Sequence, residues 1–170
     1  MASVRAGRFP RRATRALGGR SLAGFACALG LGACSLGDGP WGMIPGGAFL
    51  GPSEPCEAAG WGDYAQLEEL QIEVRPEAPR SVTTWSVVYA GQLFVPADFL
   101  LPGKRWPHQV EVDDRVRLRA RGRIFECRAE RVRDAALIEA LRRAVAAKYA
   151  LEPDGMAAGA EVWWFRIMDR

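Results

Sequence analysis

The chain has 170 residues, 49% of them hydrophobic, which is enough for one domain with a single core. Its formal net charge is +3, but six of its 23 basic residues and none of its 20 acidic residues lie within residues 1–33. Subtracting those six leaves 17 basic against 20 acidic residues from residue 34 onward, a net charge of −3. The overall positive charge therefore gives no support for a nucleic-acid-binding domain, and we expect no nucleic-acid partner.

The first 33 residues have the organisation of a secretory signal peptide. Residues 1–20 are rich in arginine, and residues 21–33 form an uncharged apolar run. This run is too short for a membrane-spanning helix, which needs about 20 apolar residues. We therefore predict a signal peptide over residues 1–33 and export from the cytoplasm.

The apolar run ends in Leu31-Gly32-Ala33-Cys34, which resembles the lipobox of bacterial lipoproteins. In that family the cysteine thiol receives a diacylglyceryl group, the leader is cut just before it, and the new N-terminus is acylated. The resemblance implies that lipid on Cys34 holds the protein to the cell membrane or the outer membrane, facing the periplasm. Ser35 is not aspartate, which by the same resemblance favours the outer membrane.

Two alternatives to lipidation stay open. The leader could remain uncleaved, or ordinary signal cleavage could leave Cys34 as a plain thiol. The export route is also open, because Arg11-Arg12 resembles a twin-arginine signal but the residues after it depart from that pattern.

Cleavage before Cys34 removes Cys27 and leaves two unmodified cysteines, Cys56 and Cys127. The compartment permits disulfides, so these two either form a bridge or remain separate thiols. Their spacing in the sequence does not decide between the alternatives, because bonding requires the folded chain to bring the two Cα atoms close together.

Residues 34–62 are rich in glycine and proline, a composition that disfavours regular secondary structure. The isolated apolar residues of this segment are Trp41, Ile44, Phe49 and Leu50. We predict a lipidated tether that lies against the rest of the protein through these side chains, and a folded domain over residues 63–170.

Alternating apolar residues predict strands in the first half of this domain. One strand covers residues 70–74, and a hairpin over residues 82–95 turns at Ala90-Gly91 and ends at Pro96. A short helix follows over residues 105–112, with a proline in its first turn, where the missing N–H does little harm.

Residues 115–132 predict a second hairpin, with a two-residue turn at Arg121-Gly122. Because side chains alternate between the two faces of a strand, this turn fixes the cross-strand neighbours. The predicted pairs are Leu118 with Phe125, Val116 with Cys127, and Arg117 with Glu126.

Asp134 is a candidate N-cap for a helix that ends near residue 150. The apolar residues of this helix recur every fourth position: Leu137, Leu141, Val145 and Tyr149. Residues 161–167 predict a last strand. About six antiparallel strands and one or two helices give a mainly β, α+β fold, which we predict to close into a small barrel because closure removes exposed strand edges.

Within residues 75–131, the hairpin sequence TTWSVVYAGQLFV is followed by Lys104-Arg105-Trp106-Pro107-His108 and then by Asp113-Asp114-Arg115. These stretches resemble the split β-barrel superfamily of pyridoxamine-phosphate oxidases and deazaflavin-dependent nitroreductases. The stretches Pro45-Gly46-Gly47 and Arg75-Pro76 are similar to those of an uncharacterised, lipid-anchored branch.

The resemblance implies a homodimer that binds a flavin or deazaflavin in a groove between the barrel and the partner subunit. Carried over by position, the residues lining that site are Thr84, Lys104, Trp106 and His108. Trp106 is also a candidate core residue. The Phe-Leu-Leu-Pro-Gly sequence at residues 99–103 departs from the Gly/Ser-rich loop of the nitroreductases and offers few hydrogen-bond donors.

His108 is the only histidine, which excludes a multi-histidine zinc site. Heme ligation through one histidine, or an ordinary position on a helix surface, remains open for this residue. The sequence has no paired carboxylates at useful spacing, no Walker-type loop and no nucleophile elbow. We therefore assign no catalytic residue and no metal site, and leave open whether the protein is an enzyme.

Four arginines alternate along one strand face: Arg115, Arg117, Arg119 and Arg121. They form either an anion site or a solvated outer face, partly neutralised by Glu126 and Glu130 across the hairpin. The acidic net charge from residue 34 onward favours the solvated face.

Our first hypothesis is a lipid-anchored cell-envelope protein whose split barrel serves as a binding or structural module. The alternatives are a flavin- or deazaflavin-dependent oxidoreductase that faces the periplasm, and a heme-binding module that uses His108.

Overall fold

A computed structural model of the protein describes residues 37–100, 103–152 and 161–170. The predicted signal peptide and Cys34 lie outside these residues. The strands are β1 (Ser53–Pro55), β2 (Glu69–Val74), β3 (Arg80–Trp85), β4 (Val87–Tyr89), β5 (Gln92–Asp98), β6 (Arg115–Ala120), β7 (Arg123–Val132) and β8 (Val162–Met168). The α-helices are α1 (Trp106–Val112) and α2 (Ala135–Tyr149), and the short 3₁₀ helices are Cys56–Ala59 and Trp61–Tyr64.

The strands form one sheet in the order β3-β2-β6-β7-β8-β5-β4, in which every neighbouring pair is antiparallel. The first and last strands of this order, β3 and β4, are consecutive in sequence and are separated only by Ser86. The sheet therefore closes on itself through one bent stretch of chain. The predicted α+β split barrel is confirmed.

The bend at Ser86 is secured by the end of α2. Ser86 is buried, and its carbonyl oxygen accepts a hydrogen bond from Lys148 Nζ at 2.8 Å. Its N–H donates to Tyr149 Oη at 3.1 Å. Burial lowers the pKa of Lys148 and raises the pKa of Tyr149. Both backbone groups of Ser86 therefore have hydrogen-bond partners, although this residue lies outside the strand pairings on either side of it.

The sheet has eight strands rather than about six for two reasons. The bend divides one predicted strand into β3 and β4, and β1 comes from the segment predicted to be irregular. The end predicted at Pro96 is also wrong, because β5 continues to Asp98. Pro96 has no N–H to donate, but its carbonyl accepts from Thr84 Oγ1 at 3.3 Å, and the strand continues through it beside Trp164 of β8.

The second hairpin has the predicted register. Leu118 pairs with Phe125, and Val116 with Cys127, all four side chains being buried. Positive φ angles at Arg121 (48°) and Gly122 (78°) fit the mirror-image turn that matches the twist of a hairpin. The predicted turn at Ala90-Gly91 has the same geometry, with φ of 51° and 78°.

The helices and the last strand also lie where the sequence predicts them. Asp134 caps α2 by accepting a hydrogen bond from the N–H of Leu137 at 2.6 Å. Leu141 and Val145 of this helix are fully buried against one end of the sheet, where Trp164 joins them. A larger cluster fills the barrel, and it includes apolar residues of β2, β5, β6 and β7.

Residues 37–62 are part of the fold, and the predicted absence of regular structure in this segment is wrong. β1 pairs in parallel with β7, and a disulfide joins Cys56 to Cys127, with the Cα atoms 5.0 Å apart. Composition describes only local preference, whereas β1 forms because a neighbouring strand offers hydrogen-bonding groups. Of the four apolar side chains expected to contact the domain, only Phe49 is buried.

Phe49 is held by an ion pair between β2 and β6. Arg117 binds Glu73 through two hydrogen bonds, Nε to Oε1 at 2.8 Å and Nη2 to Oε2 at 2.6 Å. The same two side chains bind the backbone of Phe49, since its N–H donates to Glu73 and its carbonyl accepts from Arg117 at 2.9 Å. The Phe49 ring lies 4.4 Å from the guanidinium carbon of Arg119. A charged pair thus fastens an irregular segment to the sheet.

The predicted arginine face is only partly solvated: Arg117 and Arg119 are partly covered, whereas Arg121 is exposed. In the described residues, neither Glu126 nor Glu130 forms the predicted ion pair with these arginines. Glu126 accepts from Ser53 Oγ at 2.7 Å and pairs with Arg170. Glu130 lies 3.9 Å from Arg166 on β8. The acceptors of the β6 arginines come instead from the N-terminal segment, from β2, and from the segments next to β2 and β6: Asp38, Gln71, Glu73, Glu77 and Asp113.

Gly46 permits the closest approach within the N-terminal segment. A Cβ atom on this residue would lie 1.8 Å from the carbonyl oxygen of Gly39. Gly46 also exchanges two backbone hydrogen bonds with Ser81 on β3, at 2.9 and 3.0 Å. Any side chain here would push the segment away from the sheet.

We expect Arg117→Met to lower the free energy of unfolding by about 3–5 kcal/mol, because it leaves the carboxylate of Glu73 buried without its cation. Replacing both partners, in Arg117→Met with Glu73→Leu, should cost less than the single change. Urea denaturation followed by circular dichroism measures both.

Arg128→Met is the matched control for this pair. The Arg128–Asp114 pair, at 3.2 Å, is about half exposed on both sides, so its loss should cost no more than about 1 kcal/mol. If Arg117→Met and Arg128→Met lower the free energy of unfolding equally, the buried Glu73–Arg117 pair is no more important for stability than an exposed pair.

Candidate functional site

A groove of about 550 Å³ runs between α1 and the chain that joins β2 to β3. Its volume is in the range typical of small-molecule sites. The residues that line it are Arg75, Glu77, Ala78, Arg105, His108, Gln109, Val112 and Asp113. We call it the α1 groove.

The charges of the α1 groove are unequally neutralised. Its two carboxylates both bind Arg115, with Nη2 of that residue 2.7 Å from Glu77 Oε1 and 2.6 Å from Asp113 Oδ2. Arg75 and Arg105 are exposed, and within the described parts of the chain neither has an ion-pair partner. The groove therefore presents two cationic side chains, while its acidic groups are already satisfied.

Arg115 also lowers the pKa of those carboxylates. Its side-chain hydrogen bond is the largest cause that lowers the pKa of Asp113, ahead of the opposing effect of burial. The same guanidinium lowers the pKa of Glu77. In return the two acids raise the pKa of Arg115, so this cluster stays charged throughout the physiological range.

One buried polar atom of the α1 groove has no partner. Gln109 Oε1 is inaccessible to solvent and accepts no hydrogen bond from the residues that the structure describes. Such an atom is costly unless a water molecule or a ligand donates to it. The groove is thus lined by two exposed arginines, and one of its lining residues, Gln109, carries a buried acceptor without a partner in the described residues.

An aromatic cluster borders the α1 groove at His108. The His108 ring lies 4.7 Å from the ring of Trp163 and 5.6 Å from that of Phe99, measured between centroids. The guanidinium carbon of Arg131 lies 3.4 Å from the centre of the Trp163 ring. His108 is exposed, so its imidazole belongs both to this cluster and to the groove.

The residues carried over from the split-barrel resemblance lie in different places. Lys104 Nζ forms a salt bridge with Asp98 at 2.9 Å, and Thr84 bonds the carbonyl of Pro96, so both flank β5. Trp106 is 4% exposed and packs against Phe165 in the barrel core. Only His108 lines the α1 groove. Among the cavities that the described residues line, none brings the four side chains together.

The sequence reasoning missed Arg75, Arg105 and Gln109 as site residues. All three stand in or beside the stretches that carried the resemblance, where they counted only as motif positions. The sequence did offer one indication. Arg75 follows the first predicted strand and Arg105 begins the first predicted helix, so both stand next to loops, where binding residues are common. Their convergence across the groove depends on how α1 lies against the sheet.

In residues 37–100, 103–152 and 161–170, no group of three or more His, Cys, Asp or Glu side chains could hold a metal ion. None of the helices in the same ranges has the length and apolar character needed to cross a bilayer.

No protein-family model matches the sequence, and no curated protein is similar enough to count as a relative. Several solved structures are similar in fold. A conserved hypothetical protein from Mycobacterium tuberculosis has 16% identity and a TM-score of 0.49, with 64% of this chain and 77% of that one covered. A candidate pyridoxamine 5′-phosphate oxidase from Listeria innocua has 11% identity and a TM-score of 0.46, covering 62% and 86%.

A FAD-binding protein from Mesorhizobium loti has 17% identity and a TM-score of 0.43, with 69% of this chain and 92% of that one covered. At identities and TM-scores this low, the likeness carries no argument about what the protein binds. The split-barrel architecture stands on the strand order and the closure at Ser86 described above.

We expect Arg115→Gln to raise the pKa of Asp113 towards the ordinary value of an aspartate, because the variant loses the hydrogen bond that lowers it most. In the wild type, Asp113 has a lower pKa in the folded protein than in the unfolded chain. At pH values between these two pKa values, the unfolded chain binds the proton more strongly, so the free energy of unfolding rises with pH. The difference between the two pKa values, and with it this pH interval, should be smaller in the variant. Carboxyl-detected NMR titration of Asp113 measures the change.

Arg80→Gln removes an exposed arginine of β3 that has no part in this cluster, and it should leave the pKa of Asp113 unchanged. If Asp113 titrates at the same pH in Arg115→Gln as in the wild type, Arg115 is not what lowers the pKa of Asp113.

Proposed function

We propose that the protein is a lipid-anchored cell-envelope protein whose split barrel binds an anionic small molecule in the α1 groove. The observation that carries this proposal is the pair of arginines, Arg75 and Arg105, which face the groove without a counterion while its carboxylates are occupied by Arg115. Guanidinium groups bind phosphate and carboxylate through paired hydrogen bonds, which suits an anionic ligand.

The ligand should also carry a hydrogen-bond donor. Gln109 Oε1 is a buried acceptor without a partner in the described residues, and rotation of this side chain towards the groove would let a ligand N–H or O–H satisfy it. A molecule with a phosphate or carboxylate at one end and a donor nearby meets both requirements. The groove volume of about 550 Å³ accommodates a ligand of nucleotide size.

The anchor is proposed from the sequence. The run of apolar residues before Cys34, the small residues at Gly32 and Ala33 and the arginine-rich leader together fit an exported lipoprotein. The disulfide between Cys56 and Cys127 supports an oxidising compartment. In this proposal the barrel faces the periplasm from the cell membrane or the outer membrane.

A second candidate is a flavin- or deazaflavin-dependent oxidoreductase. The observation that favours it is the aromatic cluster of Phe99, His108 and Trp163 at the side of the groove, because planar rings stack on aromatic side chains. Trp106 would not serve in such stacking, since it is buried in the core. A homodimer whose partner subunit completes the site remains part of this candidate.

Absorbance separates the candidates. Protein purified after export in its own host should show only aromatic bands if the ligand is colourless. Flavin or deazaflavin bands would favour the oxidoreductase, and a Soret band would favour heme ligation by His108, the one histidine of the chain.

We expect Cys34→Ser to release the protein from membranes, because the substitution removes the thiol that accepts the lipid. Fractionation of cells followed by immunoblotting measures the distribution. Cys27→Ser is the matched control, since Cys27 lies in the predicted leader, and it should leave the protein in the membrane fraction. Membrane attachment that survives Cys34→Ser would count against the anchor.

We expect Arg75→Ser with Arg105→Ser to weaken binding of inorganic phosphate at least about tenfold, because each charge-assisted hydrogen bond is worth about 1.5–3 kcal/mol. The NMR shift of the Gln109 side-chain amide reports on occupation of the groove. Arg143→Ser, which removes an exposed arginine of α2, should bind phosphate as the wild type does. Unchanged binding in the double variant would locate the anion elsewhere.

A further inference from the structure

Three large apolar side chains project into solvent from one short turn. Trp41 is 84% exposed, Met43 is 86% exposed and Ile44 is 61% exposed. Residues of this size rarely stand exposed side by side without a surface to cover them. We call residues 41–44 the apolar tip.

The apolar tip is held firmly in place. Trp41 and Ile44 exchange two backbone hydrogen bonds, of 3.1 and 3.0 Å, which close a two-residue turn. The carbonyl of Gly42 accepts from Thr83 Oγ1 at 2.8 Å, which fixes the turn to β3. Because its backbone groups are bonded to one another and to the sheet, the tip presents its side chains outward without having to reorder.

The length of chain before the tip limits its distance from a membrane. Six residues lie between Cys34, the proposed site of lipid attachment, and Trp41, so seven residue-to-residue steps join the two. A fully extended chain covers at most about 3.6 Å per residue, so Trp41 lies within about 25 Å of the anchored cysteine. A membrane that holds the lipid of Cys34 is therefore always within reach of the tip.

The chemistry of the tip and its neighbourhood suits a lipid surface. Tryptophan is enriched at the interface between lipid and water, where its ring is apolar and its N–H remains wet. The exposed Arg121, at the β6–β7 turn, lines the same surface depression as Gly42 and Thr83. A cation beside apolar side chains matches the anionic headgroups that lie above the acyl chains.

We infer that the apolar tip inserts into the interface of the bilayer that holds the lipid on Cys34, with Arg121 among the headgroups. This inference rests on the proposed anchor. The tip gives the protein a second contact with the membrane, so the barrel is held in one orientation. The several acyl chains on Cys34 already supply stable attachment, and the tip adds the orientation of the barrel on the bilayer.

Bromolipid quenching tests the inference. Full-length lipidated protein is reconstituted into vesicles that contain anionic lipid and phospholipids brominated on the acyl chain. Bromine close to the headgroup should quench part of the tryptophan emission, and Trp41→Ser should abolish most of that quenching. Bromine near the end of the chain should quench less, since an interfacial residue stays shallow.

Trp85→Ser is the matched control, because Trp85 is also partly exposed, at 38%, but its ring stacks on Tyr149 of α2. Its removal should leave the bromolipid quenching intact. Equal quenching in Trp41→Ser and the wild type, with both proteins in the vesicle fraction, overturns the inference and leaves the anchor standing.

Two other outcomes also overturn the inference. Protein that does not enter the vesicle fraction and carries no lipid on Cys34 by mass spectrometry refutes both the anchor and the tip contact. A wild type without quenching, whose mass in detergent falls in Trp41→Ser, shows that a second copy of the chain covers the tip instead.

Discussion

The ion pair between Glu73 and Arg117 is the interaction on which the N-terminal half of the structure depends. Glu73 is 4% exposed, so its carboxylate is stable there only because Arg117 and the N–H of Phe49 bind it. The pair joins β2 to β6 and at the same time satisfies both backbone groups of Phe49. It is the buried attachment of residues 37–50 to the sheet, and the more exposed hydrogen bonds of Asp38, Gly42 and Gly46 add to it.

The arginine face of β6 connects the two proposed contacts of the protein. Arg115, at one end of the strand, occupies the carboxylates of the α1 groove and leaves its two arginines available for an anion. Arg117 and Arg119, in the middle, hold the N-terminal segment through Glu73, Phe49 and Asp38. Arg121, just beyond the other end, stands beside the apolar tip. One strand thus sets the charge of the groove and the placement of the tip.

Sequence reasoning predicted the elements whose stability is local. The β6–β7 register follows from Arg121-Gly122 and from alternation, because a two-residue turn leaves only one pairing that buries all the apolar side chains. The capped helix α2 follows from Asp134 and a four-residue period. The site was harder to predict. Trp106 is of a residue type that often contacts cofactors, but it faces the core. A seven-residue helix is too short for its sequence pattern to indicate which of its side chains face the core.

By itself, the sequence determined the charge asymmetry of the chain, the mainly β architecture, both hairpin turns and the capped helix, because each depends on residues close together along the chain. Only the tertiary structure decided what residues 37–62 do, which acids neutralise the β6 arginines, and which arginines remain for a ligand. Those outcomes depend on contacts between distant residues, such as Phe49 with Arg117. Which groups lie close enough to pair with a buried charge depends on how the barrel closes, and the order of residues along the chain does not show this.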